Sequence, residues 1–163
     1  MKESVFQYEL KKTIEDEGGW CEKFPDMPRF KGSRFIPEKC ADYSATVNGR
    51  PILIECKLIK KVEPIHYKFF ESSSERKEKL YWTEYHQVRE LKRFNDNHPN
   101  NQAYYAINLR IPYKVNQLII LHIEMFMSMY LKSDYISKEQ LIVLAKNGIH
   151  GTKKRFPGIT KKL

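Results

Sequence analysis

An Asn48-Gly49 pair separates two β-rich runs, Cys40 to Val47 and Pro51 to Lys57. Asn and Gly both accept positive φ, so the pair specifies a two-residue hairpin turn whose twist suits the flanking strands. No other short segment constrains the fold as much, because a turn of that length fixes the register of both strands. It brings Asp42 back beside Glu55. The second run opens with Ile52-Leu53-Ile54, apolar without alternation, as in a central strand buried on both faces. It closes on Glu55-Cys56-Lys57. Residues two apart on a strand share a face, so Glu55 and Lys57 project together and Cys56 projects oppositely.

The chain around the hairpin alternates helical and extended periods. Residues 2–17 predict an amphipathic helix with Val5, Phe6, Leu10 and Ile14 on its apolar face, stopped by Gly18 and Gly19. Trp20 to Phe24 predicts a short strand, and Pro25 to Lys39, with three prolines, a basic loop. Trp82, Tyr85, Val88, Leu91 and Phe94 mark a helix over 80–95. Two strands follow, over 102–109 and 115–123, with Tyr104 and Tyr105 on opposite faces of the first. Helices are predicted over 124–131 and 137–146, the latter opened by a Ser137/Gln140 capping box. The polar stretch 58–79 reads as a solvated basic insertion, and 148–163 as a basic tail with five Lys or Arg and no acid. The 163 residues are thus read as one domain over 1–147, with that insertion, plus the tail. The element order predicts an α/β fold, a mixed central β-sheet flanked by helices.

Composition narrows the function. Lys and Arg number 29 against 20 Asp and Glu, a net charge of +9. Such an excess on a small domain points to a polyanion, most often nucleic acid. The most apolar run, Leu118 to Ile123, is far short of the ~20 residues a membrane span needs. The first ten residues carry early acids and no apolar core, which predicts no secretory signal. Cys21, Cys40 and Cys56 form no Cys-x-x-Cys pair, so neither zinc nor a disulfide framework is indicated. A reducing, cytoplasmic setting is the expectation. No Gly-x-Ser-x-Gly occurs to support an acyl-transfer hydrolase.

Charged side chains closing a strand as apolar as Pro51 to Ile54 are costly unless each has a partner or a task. Asp42 and Glu55, brought together by the hairpin, make a hard-oxygen site suited to Mg²⁺, with Mn²⁺ as a substitute. A metal there would hold a scissile phosphate and lower the pKa of bound water. Lys57 beside it can orient the attacking water or take its proton. A plain surface ion pair between Glu55 and Lys57 is the competing reading.

Asp42, with Glu55-Cys56-Lys57 beginning thirteen positions later, resembles the PD-(D/E)XK nuclease superfamily and its restriction-endonuclease-like core. Ala41 stands where that motif usually has Pro. The helix ending in Gly-Gly, the basic loop, the hairpin and the His86-Gln87 helix followed by two strands resemble Holliday-junction resolvases of the RecU and archaeal Hjc kind. The likeness covers most of residues 1–132. It implies a Mg²⁺-dependent endonuclease acting as a homodimer on four-way DNA junctions, in a prokaryotic, archaeal or phage setting. It also implies an acid on the first helix. The matching position here is Gln7, a departure, with Glu3 one turn earlier as the second candidate, while Glu9 projects elsewhere. The resemblance assigns DNA contacts to Lys31, Ser33 and Arg34, and to Lys60 and Lys61 in the insertion. It places Gln87, and with it His86, near the lysine of the site. Net charge adds Lys153, Lys154 and Arg155. Two other readings stay open: a restriction-type or homing endonuclease on duplex DNA, and a catalytically inactive DNA-binding relative.

Overall fold

The computed structural model describes residues 2–25, 39–70, 86–111, 116–152 and 154–163. The turn at the centre of the hairpin has Asn48 at φ 51° and Gly49 at φ 76°, the paired positive values of a type I′ turn. It joins strand β2 (Tyr43–Val47) to β3 (Arg50–Ile59) in the expected register, from Val47 opposite Arg50 to Tyr43 opposite Ile54. The regular ladder ends there, one residue short of Asp42. The Asp42 N–H instead bonds to the Ile54 carbonyl (3.1 Å), and the Asp42 carbonyl accepts from the Phe24 N–H (2.9 Å).

β3 lies inside a six-stranded sheet of order β1-β2-β3-β5-β6-β8, where β1 is Trp20–Lys23, β5 Gln102–Arg110, β6 Asn116–His122 and β8 Ile149–Gly151. The β3–β5 pair is parallel and sets Glu55 opposite Tyr105 and Lys57 opposite Ile107, whereas the other pairs are antiparallel. The expected mixed sheet flanked by helices is therefore present. A parallel pair needs a crossover. Here it runs through β4 (Ile65–His66), a 3-10 turn at Tyr67–Phe70 and helix α2 (His86–Asn97).

Two cores sandwich the sheet. On one face α1 (Glu3–Asp16) lays Phe6, Leu10 and Ile14, all fully buried and four apart, against Ile52, Ile54 and Cys56. Gly19 sits so close beneath α1 that an added Cβ would lie 2.7 Å from the Ile14 side chain. On the other face Leu53, Tyr105 and Ile107 meet Val88 and Leu91 of α2 and Phe126 of α3 (Ile123–Tyr130). Tyr104 and Tyr105 divide between the two cores as expected. The capping box forms: Ser137 and Gln140 close the start of α4 (Lys138–Lys146) reciprocally.

Two segments differ from their sequence reading. The insertion begins as core rather than as solvated chain. β3 runs on to Ile59, β4 pairs with β7 (Tyr135–Ile136), and Tyr67 and Phe70 are buried. Their rings pack on Phe126, at 5.4 and 4.9 Å between centroids, and Phe70 also meets Tyr105 at 5.1 Å. Large rings at two positions outweigh the polar average of the stretch, since each buries far more apolar area than the polar residues around it. Residues 71–79 of the insertion lie outside the described residues, as do Trp82 and Tyr85 of the predicted helix. Residues 148–163, read as a basic tail, carry β8 and three core anchors, Phe156, Ile159 and Leu163. The Glu17 carboxylate clasps this segment. It accepts from Gly158 N–H (2.5 Å), Thr160 N–H (3.0 Å) and the Thr160 hydroxyl (2.8 Å).

Candidate active site

The site forms where β3 stops being apolar. Leu53 and Ile59 hold its face of the strand in the core, and between them Glu55 and Lys57 are carried inside with them, at 2% and 9% exposure. An ionised carboxylate so buried needs compensation. Lys57 Nζ donates to Glu55 Oε1 (2.9 Å), Gln87 Nε2 donates to the same oxygen (2.7 Å), and Lys57 Nζ also donates to Gln87 Oε1 (3.2 Å). The three side chains close a ring, with Gln87 supplied by the first turn of α2. The second Glu55 oxygen, Oε2, is buried without a hydrogen-bond partner among the described residues. Burial pushes the Glu55 carboxyl up to about 7; the Lys57 ammonium opposes that rise and the Asp42 carboxylate adds to it.

Asp42 reaches the same strand by a different route. Its Oδ2 accepts from the Cys56 backbone N–H (2.9 Å), and its Oδ1 pairs with Lys39 Nζ (3.0 Å). Placement off the ladder lets the carboxylate use a β3 main-chain donor that a regular partner strand would have occupied. The Cys56 side chain points into the opposite core, so the residue contributes its N–H here.

Helix α1 approaches with its N-terminus. Burial raises the Glu3 carboxyl, while the Lys57 ammonium, the Leu58 N–H and Lys39 hold it down and Asp42 pushes it up. Glu3 is thus within electrostatic reach of Lys57, Asp42 and Lys39. Gln7 is buried one turn further along α1. Glu9 turns away and pairs with Arg110 Nη1 at 3.1 Å. Among the described residues, no three His, Cys, Asp or Glu side chains gather closely enough to hold a metal ion by themselves.

The basic residues named from the sequence are dispersed. Lys31, Ser33, Arg34 and Lys153 lie outside the described residues, as does the His86 side chain. Lys60 and Lys61 are exposed immediately beyond β3, near Lys57 in the chain. Arg155 pairs with Asp16 at the far end of α1 from Glu3 (3.2 Å), roughly 20 Å away along a helix rising 1.5 Å per residue. Exposed Lys154 adjoins it. Lys39 was not singled out by sequence reasoning. Its one available signal is that it stands three residues before Asp42, beside the basic loop.

Compared with solved structures, the chain is similar to Hjc, a Holliday junction resolvase from the archaeal hyperthermophile Archaeoglobus fulgidus. Identity is 16%, the match spans 84% of this chain and 86% of that one, and the TM-score is 0.47. No family model and no curated protein matches the chain. Among the described residues no helix is long and apolar enough to cross a membrane.

Proposed function

We propose that this chain is a Mg²⁺-dependent endonuclease that hydrolyses phosphodiester bonds in four-way DNA junctions and works as a homodimer. The observation that carries the reading is Glu55, a buried carboxylate with one oxygen tied to Lys57 and Gln87 and the other without a partner among the described residues. A bare buried carboxylate oxygen calls for a cation, and a hard one suits it. Mg²⁺ fits the donor set, because it is commonly held by one or two carboxylates and keeps several of its waters. Asp42 and Glu55 would hold it. Bound there, it would supply positive charge for the scissile phosphate and lower the pKa of a coordinated water; Mn²⁺ would substitute.

The chain's own residues do the rest. Lys57 shares a face with Glu55 and is held by Glu55 and Gln87, so its ammonium is fixed beside the carboxylate that would carry the metal, where a scissile phosphate would lie. There it orients the attacking water and offsets the charge that grows in the transition state. Gln87 fixes Lys57 and Glu55 against each other, and the Cys56 N–H fixes Asp42. The net charge of +9 suits a phosphate backbone. Junction preference and pairing of two subunits rest on the resemblance of the motif frame to resolvases, and two symmetric cuts call for two-fold symmetry.

The test compares nicking of a four-way junction with that of matched linear duplex, in Mg²⁺ and in EDTA, for the native chain and for Asp42→Asn. Mg²⁺-dependent junction cleavage that Asp42→Asn abolishes is the expected result. Equal cutting in EDTA overturns the metal. Equal cutting of the linear duplex replaces the resolvase with a duplex endonuclease, and junction binding without cutting indicates an inactive relative.

A further inference from the structure

Each carboxylate assigned to the metal already has an ammonium of its own. Glu55 has Lys57 at 2.9 Å and Asp42 has Lys39 at 3.0 Å. The two lysines differ in what they reach. Lys57 is locked into the ring with Gln87 and is 11% exposed in its side chain, whereas the Lys39 side chain is 22% exposed. Lys39 also acts through its charge on Glu55 and on Glu3, besides pairing with Asp42. Its ammonium contacts Asp42 Oδ1 and adds a smaller charge effect on Glu55 and Glu3, so it neutralises negative charge that a divalent cation held by Asp42 would otherwise meet.

We propose that Lys39 is an interlock between metal and nucleic acid: its ammonium stands in for the divalent cation in the DNA-free protein, and its transfer to a DNA phosphate opens Asp42 to the metal. The inference rests on the function proposed above and goes beyond it in naming what governs occupancy of the site. Lys39 and a divalent ion compete for Asp42 Oδ1. Positive charge lost from that oxygen on DNA binding is charge the metal then supplies. Metal and DNA therefore favour each other, and by linkage each raises the affinity of the other by the same factor. An enzyme so built holds metal weakly until its substrate arrives.

The experiment measures Mn²⁺ binding to the full DNA-free chain by the loss of free-ion electron paramagnetic resonance signal. Native protein is compared with Lys39→Met, Lys39→Gln, the charge-preserving Lys39→Arg and a distant exposed control, Lys146→Met. Labelled-junction anisotropy with and without Ca²⁺ reads the coupling. Lys39→Met and Lys39→Gln should bind Mn²⁺ up to about fivefold more tightly than native protein, as removal of one competing charge pair would give. Their junction affinity should gain correspondingly less from Ca²⁺. Lys39→Arg and Lys146→Met should stay near native. Unchanged or weaker Mn²⁺ binding in both neutral variants overturns the interlock and leaves the metal reading standing. An equal gain in Lys146→Met also overturns it, as an effect of net charge alone. Absence of Mn²⁺ binding by every form, the neutral variants included, overturns the metal reading and the interlock together.

Discussion

Glu55 and Glu17 are two carboxylates on opposite sides of the sheet, each gripped by several donors, and their environments lead to opposite outcomes. Glu17 sits at the edge of the α1 face. Burial pushes its carboxyl up, yet the N–H and hydroxyl of Thr160 and the N–H of Gly158 outweigh that, so it is held below its ordinary value. Both of its oxygens are used, Oε1 by Gly158 and Oε2 by Thr160. Glu55 is buried almost completely, and its donors converge on one oxygen while the other has none among the described residues. A satisfied carboxylate is a fastener. A buried carboxylate with an unsatisfied oxygen costs more to keep ionised, and under the proposed function it is the place where a cation would bind.

Removing Lys57 should separate the two regions most sharply. Lys57→Ala should lower kcat about 10²–10³-fold with little loss of junction binding, since it deletes a group whose main interaction is in the transition state. Single-turnover rates at saturating junction check this, and a loss confined to binding would reduce Lys57 to a partner for Glu55. Gln87→Ala comes next. It leaves Glu55 and Lys57 in contact but no longer braced, and should cost about 10–100-fold in activity, the range for residues that orient a metal's ligands. A native rate would show that the ring with Gln87 is structural alone.

Glu17→Gln should do the reverse, leaving the cleavage rate intact and lowering stability by about 1 kcal/mol through lost charged hydrogen bonds. The pH dependence has a definite sign. The folded value lies below the ordinary 4.5, so Glu17's contribution is full above that value and is lost as pH falls through the lower, folded value. Urea melts should thus show the gap between native protein and Glu17→Gln closing as pH falls below the ordinary 4.5 and through the lower, folded value. A gap that widened in acid would break the assignment. A smaller effect is expected at Lys60, exposed just beyond the strand of the site. Lys60→Ala should reduce the slope of log K against log salt by about one and leave the saturated rate alone. Arg155→Ala, paired with Asp16 far along α1, should change that slope less. Equal slopes for the two would remove the distinction between the site's surroundings and the C-terminal segment.

The hairpin was legible because its signals are local: Asn48-Gly49 requires the turn, and the turn sets which residues face each other. Helices with strong apolar spacing were legible for the same reason, with α1 and α4 falling within a residue or two of their expected bounds. The elements that escaped notice are β4, β7 and β8, of two or three residues each, and the Tyr67–Phe70 turn. Strands that short have no period of their own and exist because a neighbour supplies the hydrogen bonds. The C-terminal segment was hidden by its charge. Five basic residues dominate its average, while Phe156, Ile159 and Leu163, three and four apart, do the packing.

Within the site, the amino-acid sequence alone determined that Glu55 and Lys57 share a face of a buried strand and that Asp42 returns toward them, because alternation and a two-residue turn permit little else. Whether the ladder would reach Asp42 was a tertiary matter. The hydrogen bonds of Asp42 to Ile54 and Phe24 ended it one residue early and turned the carboxylate onto the Cys56 N–H. Tertiary packing also brought Gln87 across from α2 and set Glu3 within electrostatic reach of Lys57 and Asp42 from α1, whereas Lys39 meets Asp42 locally, three residues before it. Gln87 and Glu3 lie tens of residues from Glu55 in the chain, and no local period links residues so far apart. Their placement depends on how two helices pack onto opposite faces of one sheet, which is decided by the whole core at once.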